Sequence, residues 1–242
     1  MARTVYYLSR LARGWLRTIF VNSPPLMEHV ETRHQSTFMT EDHEQLSRLL
    51  ERVATNDELD SLQLPAEGVG EVIHREYRIR FRCDRSAVDL LDNLKAHPGR
   101  YCDPRLAKFE KTRGEKSAMQ VGDRFHISIS GPWDGPVQVI AIENQSYIFA
   151  TMKDHLEAGF IRFSVGESDG ITEFAVESWA ASAGPIVWLS YTGFGIAQKM
   201  QTKMWRHYCL KVAEVASGDV EGPLVINTVT LENFSTGDVN EE

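Results

Sequence analysis

Hydrophobic positions recur with two different periods along the chain, and each period occupies its own stretch. Between about residues 71 and 180, apolar residues return at every second position over short runs, which is typical of strands with one buried face. From residue 196 to residue 217 they return at every third or fourth position, which predicts one long amphipathic helix. The apolar face of that helix consists of Ile196, Ala197, Met200, Met204, Tyr208, Val212 and Val215. A run of strands closed by one long helix predicts a curved sheet that grips the helix.

The alternating pattern predicts about six or seven strands and one short helix. Strands are predicted over residues 73–82, 106–112, 124–130, 137–143, 146–152, 159–165 and 171–180. The short turns between the later strands are typical of antiparallel neighbours. After the first strand, Asp84 is a candidate cap for a helix whose buried face is Val88, Leu90, Leu91 and Leu94. The predicted fold class is therefore α+β, with a curved antiparallel sheet wrapped around a long C-terminal helix and a helical extension at the N-terminal side.

The segments outside this region show other patterns. Residues 1–27 hold four arginines and no acidic residue, and their apolar positions share the opposite face of a helical wheel, which predicts a basic amphipathic N-terminal arm. Residues 28–70 are predicted to be a helical extension and linker, with 28–39 irregular, a helix from 41 and a linker from 56 to 70. The main domain is predicted over 71–218. Residues 219–242 are predicted to be a tail with one extra strand at 223–231, followed by disorder.

The basic arm is open to three interpretations. An amphipathic helix usually buries its apolar stripe, so the arm is expected to dock on the body of the protein. A second interpretation is peripheral contact of residues 1–22 with an anionic membrane surface. A third is an organelle-targeting segment, since the arm is rich in arginine and free of acid. A secretory signal is excluded because the arginines interrupt any apolar core.

Charge and cysteine content narrow the class of function. The formal charge of −8 and the pI near 5.5 argue against a nucleic-acid partner, since domains that bind nucleic acid are usually basic. Cys83, Cys102 and Cys209 are odd in number and widely spaced, which indicates free thiols in a reducing compartment. A cytoplasmic location is therefore predicted, with membrane-surface or organelle targeting through the arm as alternatives. The pattern does not determine the oligomeric state.

No short motif for a metal or a cofactor stands out. No pair of Cys or His residues has the spacing of a zinc site. Gly193 and Gly195 begin a GxGxxG pattern, but Gln198 occupies its last position and no βαβ unit precedes it. The sequence also lacks GxSxG, HExxH and a P-loop. We therefore predict neither a metal nor a cofactor.

Three stretches resemble an uncharacterised family of bacterial and plant domains of unknown function. They are 121–124 (VGDR), 151–163 around the pattern His155-x-Glu157-Ala158-Gly159, and 201–208 in the last helix. That family lies within the START and birch-pollen-allergen superfamily, and the chain carries Asp154 where the family usually has glycine. The resemblance implies a helix-grip domain over 71–218 that encloses a ligand between sheet and helix.

A sheet around a helix encloses an apolar space, and sites of this kind bind small molecules with few polar groups. The expected liners, which equally suit a solid core, are Phe125, Ile127, Phe149, Phe163, Phe174, Met200, Met204 and Tyr208. For catalysis the candidates are His155 and Glu157 near a hairpin tip, together with Tyr208, because a histidine beside a carboxylate can move protons near neutral pH.

Three hypotheses follow for the function. The first is a non-catalytic module that binds a hydrophobic small molecule or lipid. The second is an enzyme of the cyclase or hydrolase kind that acts on an apolar substrate. The third is a scaffold that docks on a membrane or a partner through the arm. A cavity of about 300 Å³ or more between sheet and last helix favours ligand binding, whereas a filled core favours a scaffold.

Overall fold

The computed structural model describes residues 29–36, 41–56, 59–129, 135–184 and 196–232. Its three helices are α1 (Glu41–Ala54), α2 (Ala87–Ala96) and α3 (Ile196–Val215). Its strands are β1 (His29–Ser36), β2 (Val69–Arg82), β3 (Ala107–Arg113), β4 (Arg124–Ile129), β5 (Gly135–Ile142), β6 (Ser146–Thr151), β7 (Glu157–Ser168), β8 (Ile171–Ser182), β9 (Asp219–Val220) and β10 (Leu224–Leu231). Two 3-10 turns, Pro65–Glu67 and Pro98–Tyr101, complete the described part.

All of these strands join one sheet in the order β1-β10-β2-β8-β7-β6-β5-β4-β3, with β9 paired to the end of β2. Every neighbouring pair is antiparallel except β1 and β10, which run parallel. Irregularities in register occur in β2, β3 and β5, and bulges of this kind bend a sheet. The sheet curves around α3, so the arrangement is a helix-grip fold, as the sequence predicts.

The concave face of the sheet buries α3. Its strands contribute aromatic and branched side chains, and the helix contributes its own buried face between them. The helix residues in this inner cluster are Met204, Trp205, Tyr208, Cys209, Val212, Ala213 and Ala216. The residues added to the predicted stripe are Trp205, Cys209 and Ala213, together with Ala216 directly after the helix, and they widen the buried face beyond the one that the three-and-four spacing marks. The side chains of Ile196, Ala197 and Met200, and the whole of 186–191, lie outside the described part.

The convex face is covered as well. Helix α1 places Leu46, Leu49 and Leu50 on a second hydrophobic cluster with sheet residues that include Phe160 and Trp179. Leu46 and Trp179 are fully buried there. Burying a leucine contributes about 1.5–3 kcal/mol, so α1 is a substantial part of the folded unit. Much of the sheet is therefore shielded on both faces.

One prediction for the N-terminal side is wrong in detail. Residues 29–36 form the edge strand β1, although 28–39 was predicted to be irregular. The segment HVETRHQS is mostly exposed, so it shows no alternation of apolar and polar residues, and its partner β10 is distant in sequence. The seven strands β2 to β8 agree with the six or seven predicted for the main domain, and β1 and the short β9 add to them. The extra strand predicted at 223–231 is confirmed as β10. How the chain divides into domains stays a prediction.

Helix α2 also differs from its prediction. Ser86 caps it by accepting a hydrogen bond from the backbone N–H of Asp89 at 3.1 Å, so Asp84 is not the cap. Val88 is 61% exposed and does not belong to the buried face, whereas Leu90, Leu91 and Leu94 do. Position 88 falls in the first turn, where α2 leaves the sheet. The predicted arm at 1–27 and the disordered end of the tail lie outside the described residues.

Polar residues of β2 are buried beneath α1, and they are paired there. His74 Nδ1 lies 2.7 Å from Asp42 Oδ1 of α1, and His74 Nε2 lies 3.7 Å from Glu177 Oε1 of β8. The second distance is a charge contact rather than a hydrogen bond. Arg162 Nη2 pairs with Glu177 at 2.6 Å, and the His74 ring stacks on Trp179 with centroids 4.5 Å apart. These groups join α1 to the middle of the sheet.

The histidine in this network favours its charged form. Burial lowers the pKa of His74, but the contacts with Asp42 and Glu177 outweigh burial, so the pKa is raised above its ordinary value. The hydrogen bond from His74 lowers the pKa of Asp42. In the unfolded chain a histidine has a pKa of about 6.5. Because folding raises the pKa of His74, its protonated form stabilises the fold below about pH 6.5, and this stabilisation is lost as the pH rises through the folded pKa. Asp42, whose pKa is lowered, contributes to folding stability above its unfolded pKa of about 3.9, and this contribution is lost as the pH falls through the folded pKa.

We expect Asp42→Asn to destabilise the protein at pH 5.5 by about 1.5–3 kcal/mol, the size of a hydrogen bond to a charged group, and by less at pH 9, because the stabilisation by protonated His74 is lost as the pH rises through its folded pKa. Urea unfolding of the full chain at both pH values measures the difference. Glu44→Gln, an exposed position in the same first turn of α1, is the matched control and should change little at either pH. Equal losses for Asp42→Asn at both pH values would contradict the charged pairing.

Candidate ligand-binding site

The residues predicted to line a cavity form a packed aromatic cluster between the sheet and α3. Phe163 is the centre of this cluster: its ring lies 4.9 Å from that of Tyr147, 5.6 Å from Trp205 and 5.5 Å from Tyr208. Phe174 stacks on Tyr208 at 5.9 Å. The predicted residues of the cluster are Ile127, Phe149, Phe163, Phe174, Met204 and Tyr208, all of them buried. These side chains are packed against one another. Their role in lining a ligand cavity stays a prediction.

Tyr208 has a second contact, which shapes the neighbouring region. Its hydroxyl donates a hydrogen bond to the carbonyl of Pro98 at 3.0 Å, so α3 holds the 3-10 turn Pro98–Tyr101 at the end of the concave face. Tyr101 reinforces this turn by donating to Asn93 Oδ1 at 2.6 Å. Burial holds the pKa of Tyr208 well above its ordinary value. Tyr208 is therefore a neutral hydrogen-bond donor that holds this turn.

A cavity of about 530 Å³ lies beneath that turn. It is bounded by the end of α2, the 3-10 turn, β3 and β4, and its lining residues are Lys95, Ala96, His97, Pro98, Gly99, Arg100, Phe109, Lys111, Lys116, Ala118 and Phe125. Of the residues predicted from the sequence, Phe125 is the one that lines this cavity. No described residue of α3 is among the liners. The cavity therefore opens at the end of the sheet, beside the aromatic cluster.

The wall formed by β3 and the loop that follows it depends on one buried ion pair. Lys111 Nζ lies 2.6 Å from Asp123 Oδ2, with side chains 15% and 6% exposed. The same ammonium donates to the carbonyls of Glu115 and Ala118, which closes the β3–β4 loop over it. Gly114 is required there, because its φ is +107° and a Cβ at this position would lie 1.7 Å from Asp123 Oδ1. The loop is therefore held in one shape against the cavity.

The cavity has an apolar floor and a basic rim. Phe125 is buried and Phe109 is half-buried, and Lys111 Nζ lies 5.6 Å from the centroid of the Phe125 ring. The exposed residues at the opening include Arg100 and Lys116. A concave site that combines apolar walls with a few polar groups is the usual form of a small-molecule site.

The catalytic candidates at the hairpin tip are both held by contacts within the protein, and their catalytic role stays a prediction. His155 Nδ1 accepts a hydrogen bond from the backbone N–H of Glu157 at 2.9 Å, and the ring packs where a Cβ on Gly135 would approach it to 2.5 Å. Burial lowers the pKa of His155 to about 4, so the ring is neutral at physiological pH. Glu157 Oε1 accepts a hydrogen bond from Gln201 Nε2 of α3 at 3.3 Å.

The pattern His155-x-Glu157-Ala158-Gly159 is explained by this turn. Asp154 has a φ of +77°, a conformation in which glycine is favoured and aspartate is tolerated. Gly159 allows β7 to approach β8, since a Cβ there would lie 2.0 Å from the carbonyl oxygen of Trp179. His155 lies in the turn between β6 and β7 and Glu157 is the first residue of β7, whereas Tyr208 contacts the turn after α2, so the three candidates do not share a site.

The basic residues of the cavity were missed by the sequence analysis. A signal for them exists: residues 95–116 contain seven Lys and Arg against three Asp and Glu, within a chain of 26 basic and 34 acidic residues. Strand periodicity marks Phe125 as buried but does not show that the end of α2 folds over it. In the described part of the chain, no three His, Cys, Asp or Glu side chains converge as a metal site requires.

Comparison with known proteins gives similarity of fold only. No protein-family model matches the chain, and no curated protein matches it. Among solved structures, the KanY protein is 9% identical over 62% of this chain and 100% of its own, with a TM-score of 0.46. Ara h 8.0201 is 11% identical over 60% and 98%, with a TM-score of 0.40. The major latex-like protein 151 of Panax ginseng is 13% identical over 60% and 97%, with a TM-score of 0.37. Likeness of this degree carries no argument about ligand or activity, and the fold assignment rests on the sheet and α3 themselves.

We expect Lys111→Met to destabilise the protein by about 3–5 kcal/mol, because it leaves the buried carboxylate of Asp123 without its partner. The double variant Lys111→Met/Asp123→Asn should recover part of that loss, since no uncompensated charge remains. Chemical unfolding measures both values. Lys108→Met, an exposed position on the same strand, is the control and should change stability by less than about 1 kcal/mol. A double variant no more stable than the single one would contradict the explanation.

We expect stability to fall as the pH is lowered from 7.5 to 5, in part because His155 stays neutral in the fold and gains a proton on unfolding. The unfolded pKa of a histidine is about 6.5. Because the folded pKa of His155 is lower, its neutral form stabilises the fold above about pH 6.5, and this stabilisation is lost as the pH falls towards the folded pKa. His155→Gln should therefore flatten the decrease measured by thermal unfolding. His97→Gln, at an exposed histidine, should leave the curve unchanged. Parallel curves for wild type and His155→Gln would show that His155 is not buried in its neutral form.

Proposed function

We propose that the protein binds a hydrophobic small molecule or lipid-like ligand. The observation that carries the proposal is the cavity of about 530 Å³ on the floor formed by Phe109 and Phe125. Cavities of about 300–1,000 Å³ with apolar walls and few polar groups are the usual small-molecule sites of proteins. The threshold of about 300 Å³ concerns the space between the sheet and the last helix, where the described side chains are packed together, so it does not apply to this cavity, which no described residue of α3 lines.

The shape of the site is set before any ligand arrives, which supports binding as its role. The Tyr208–Pro98 hydrogen bond fixes the roof, and the Lys111–Asp123 pair fixes the β3–β4 loop. A preformed site loses little conformational freedom when it binds. The finer proposal, that the chain belongs to the uncharacterised family within the START and birch-pollen-allergen superfamily, is supported by the helix-grip fold and by the turn that explains the His155–Gly159 pattern.

The two alternative functions have less support. A cyclase- or hydrolase-like reaction at His155, Glu157 and Tyr208 lacks a shared site, and two of the three groups are buried and held in one protonation state. Docking through the basic arm at 1–22 stays a proposal, because the arm lies outside the described residues. In the described part of the chain, no helix has the length and apolar character needed to cross a membrane.

A neutral apolar dye tests the proposed function directly. We expect Nile red to bind the full chain and to gain fluorescence, and we expect Ala118→Trp to weaken this binding by about tenfold because the indole fills the cavity. Fluorescence titration gives both dissociation constants. The matched control is Ala66→Trp, an exposed alanine in the first 3-10 turn, which should bind the dye as the wild type does.

Two results would contradict the proposal. The first is a chain that takes up no Nile red and carries no small molecule when its native mass is measured after purification. The second is dye binding that Ala118→Trp leaves unchanged, which would place the dye elsewhere on the protein. Circular dichroism of both tryptophan variants confirms that the comparison is made between folded chains.

A further inference from the structure

The cavity beneath the 3-10 turn has a charge opposite to that of the chain. Four of its eleven lining residues are Lys or Arg, and none is Asp or Glu. The whole sequence has 34 acidic and 26 basic residues and a formal charge of −8. Positive groups gathered on a concave surface with low-dielectric walls focus the electrostatic field and raise the local concentration of anions. The polarity of the site therefore indicates the sign of its ligand.

Two of the four cations are already engaged by the protein. Lys111 is held by Asp123 and by two carbonyl oxygens, so its ammonium belongs to the wall. Lys95 Nζ lies 2.7 Å from Asp92 Oδ1 on the same helix. Arg100 and Lys116 take part in none of the ion pairs found among the described residues. These two side chains are therefore the charges available to a ligand, one on the 3-10 turn and one on the β3–β4 loop.

The rest of the lining suits an apolar body. Phe109 and Phe125 form the floor, and Pro98 and the small residues Ala96 and Ala118 leave room above them. The methylene stems of the lysines extend this apolar surface, since such side chains keep only their charged ends in water. Apolar surface below and cations at the opening match a molecule with a hydrophobic part and an acidic end.

We propose that this cavity binds an amphipathic acid, with its carboxylate or phosphate held between Arg100 and Lys116 and its apolar part on Phe109 and Phe125. The planar guanidinium of Arg100 can bind such an anion through two parallel hydrogen bonds, and Lys116 adds a point charge. The inference rests on the proposed small-molecule site and specifies the class of ligand. We take the anion to be that of a soluble acid of moderate chain length, because the site is a concavity of about 530 Å³ lined by residues of four adjacent segments.

Displacement of Nile red by a matched pair of probes tests the inference. Decanoate and 1-decanol share an apolar chain and differ in charge at neutral pH. We expect decanoate to displace the dye from the full chain at a concentration about tenfold lower than 1-decanol requires. We also expect the decanoate value to weaken with added salt, whereas the 1-decanol value stays constant.

Removal of the two available cations should abolish the preference. In Arg100→Gln/Lys116→Gln, decanoate should bind about tenfold more weakly, while 1-decanol and Nile red should change by less than about twofold. The control is Lys108→Gln/Lys153→Gln, which removes the same charge from two exposed positions off the cavity. This control should keep the wild-type preference, because the effect depends on where the charge lies and not on the net charge.

The possible outcomes separate the inference from the function on which it rests. Failure of Nile red and of both probes to bind would overturn the proposed small-molecule site itself. Equal binding of decanoate and 1-decanol, or a preference that Arg100→Gln/Lys116→Gln retains, would overturn the acid class and leave the small-molecule site standing. Co-sedimentation with phosphatidylglycerol vesicles that the same variant loses, without displacement by decanoate, would assign the two cations to a membrane headgroup and would also overturn the inference.

Discussion

The burial of both faces of one curved sheet is the constraint on which the rest of the structure depends. Tyr77 and His74 are close neighbours on β2 and illustrate it, since Tyr77 is buried against α3 on the concave side and His74 beneath α1 on the convex side. A strand enclosed in this way cannot leave its polar residues to water, so each requires a partner inside the protein. His74 has Asp42 and Glu177. Glu76 accepts from Asn227 Nδ2 of β10 at 3.0 Å and pairs with Arg78.

The concave face is divided between a filled part and an open part, and one side chain connects them. Around Phe163 the aromatic rings are in contact, and α3 adds Trp205 and Tyr208 to them. Beyond Tyr208 the roof changes from α3 to the 3-10 turn after α2, which the Tyr208 hydroxyl holds in place. The space under this turn is lined by lysines and an arginine as well as by phenylalanine. Rigidity and binding capacity are thus located in adjacent parts of one surface.

The sequence predicts those features that depend on local periodicity. The strands from β2 to β8 and the helix α3 each repeat their apolar residues over several turns or pleats, so the α+β class and the gripped helix follow from spacing alone. The edge strand β1 is different, because a segment exposed on both sides carries no such repeat and its pairing is settled by a partner near the other end of the chain. The binding cavity could not be predicted from the sequence for a related reason. Phe125 was found because it is buried, whereas Arg100 and Lys116 are exposed residues whose meaning depends on where α2 and β3 come together. His155 is a different case, because the same pattern of residues is typical both of a hairpin turn and of acid–base chemistry, and its catalytic role stays a prediction.

The parallel pairing of β1 with β10 has a consequence for how the protein is made. Thr32 of β1 meets Asn227 of β10, and their side chains are hydrogen-bonded across a separation of 195 residues. A growing chain synthesises β1 before the other described strands and β10 after them, so β1 waits without its neighbour while the rest of the described sheet assembles. Contacts of such long sequence separation form slowly, because the entropy of closing the loop must be overcome before they stabilise anything. Until β10 arrives, the backbone of β2 is an unpaired edge, and an unpaired edge is a template for association with other chains. The final strand therefore completes the sheet and also closes the site at which the nascent protein is most exposed to aggregation.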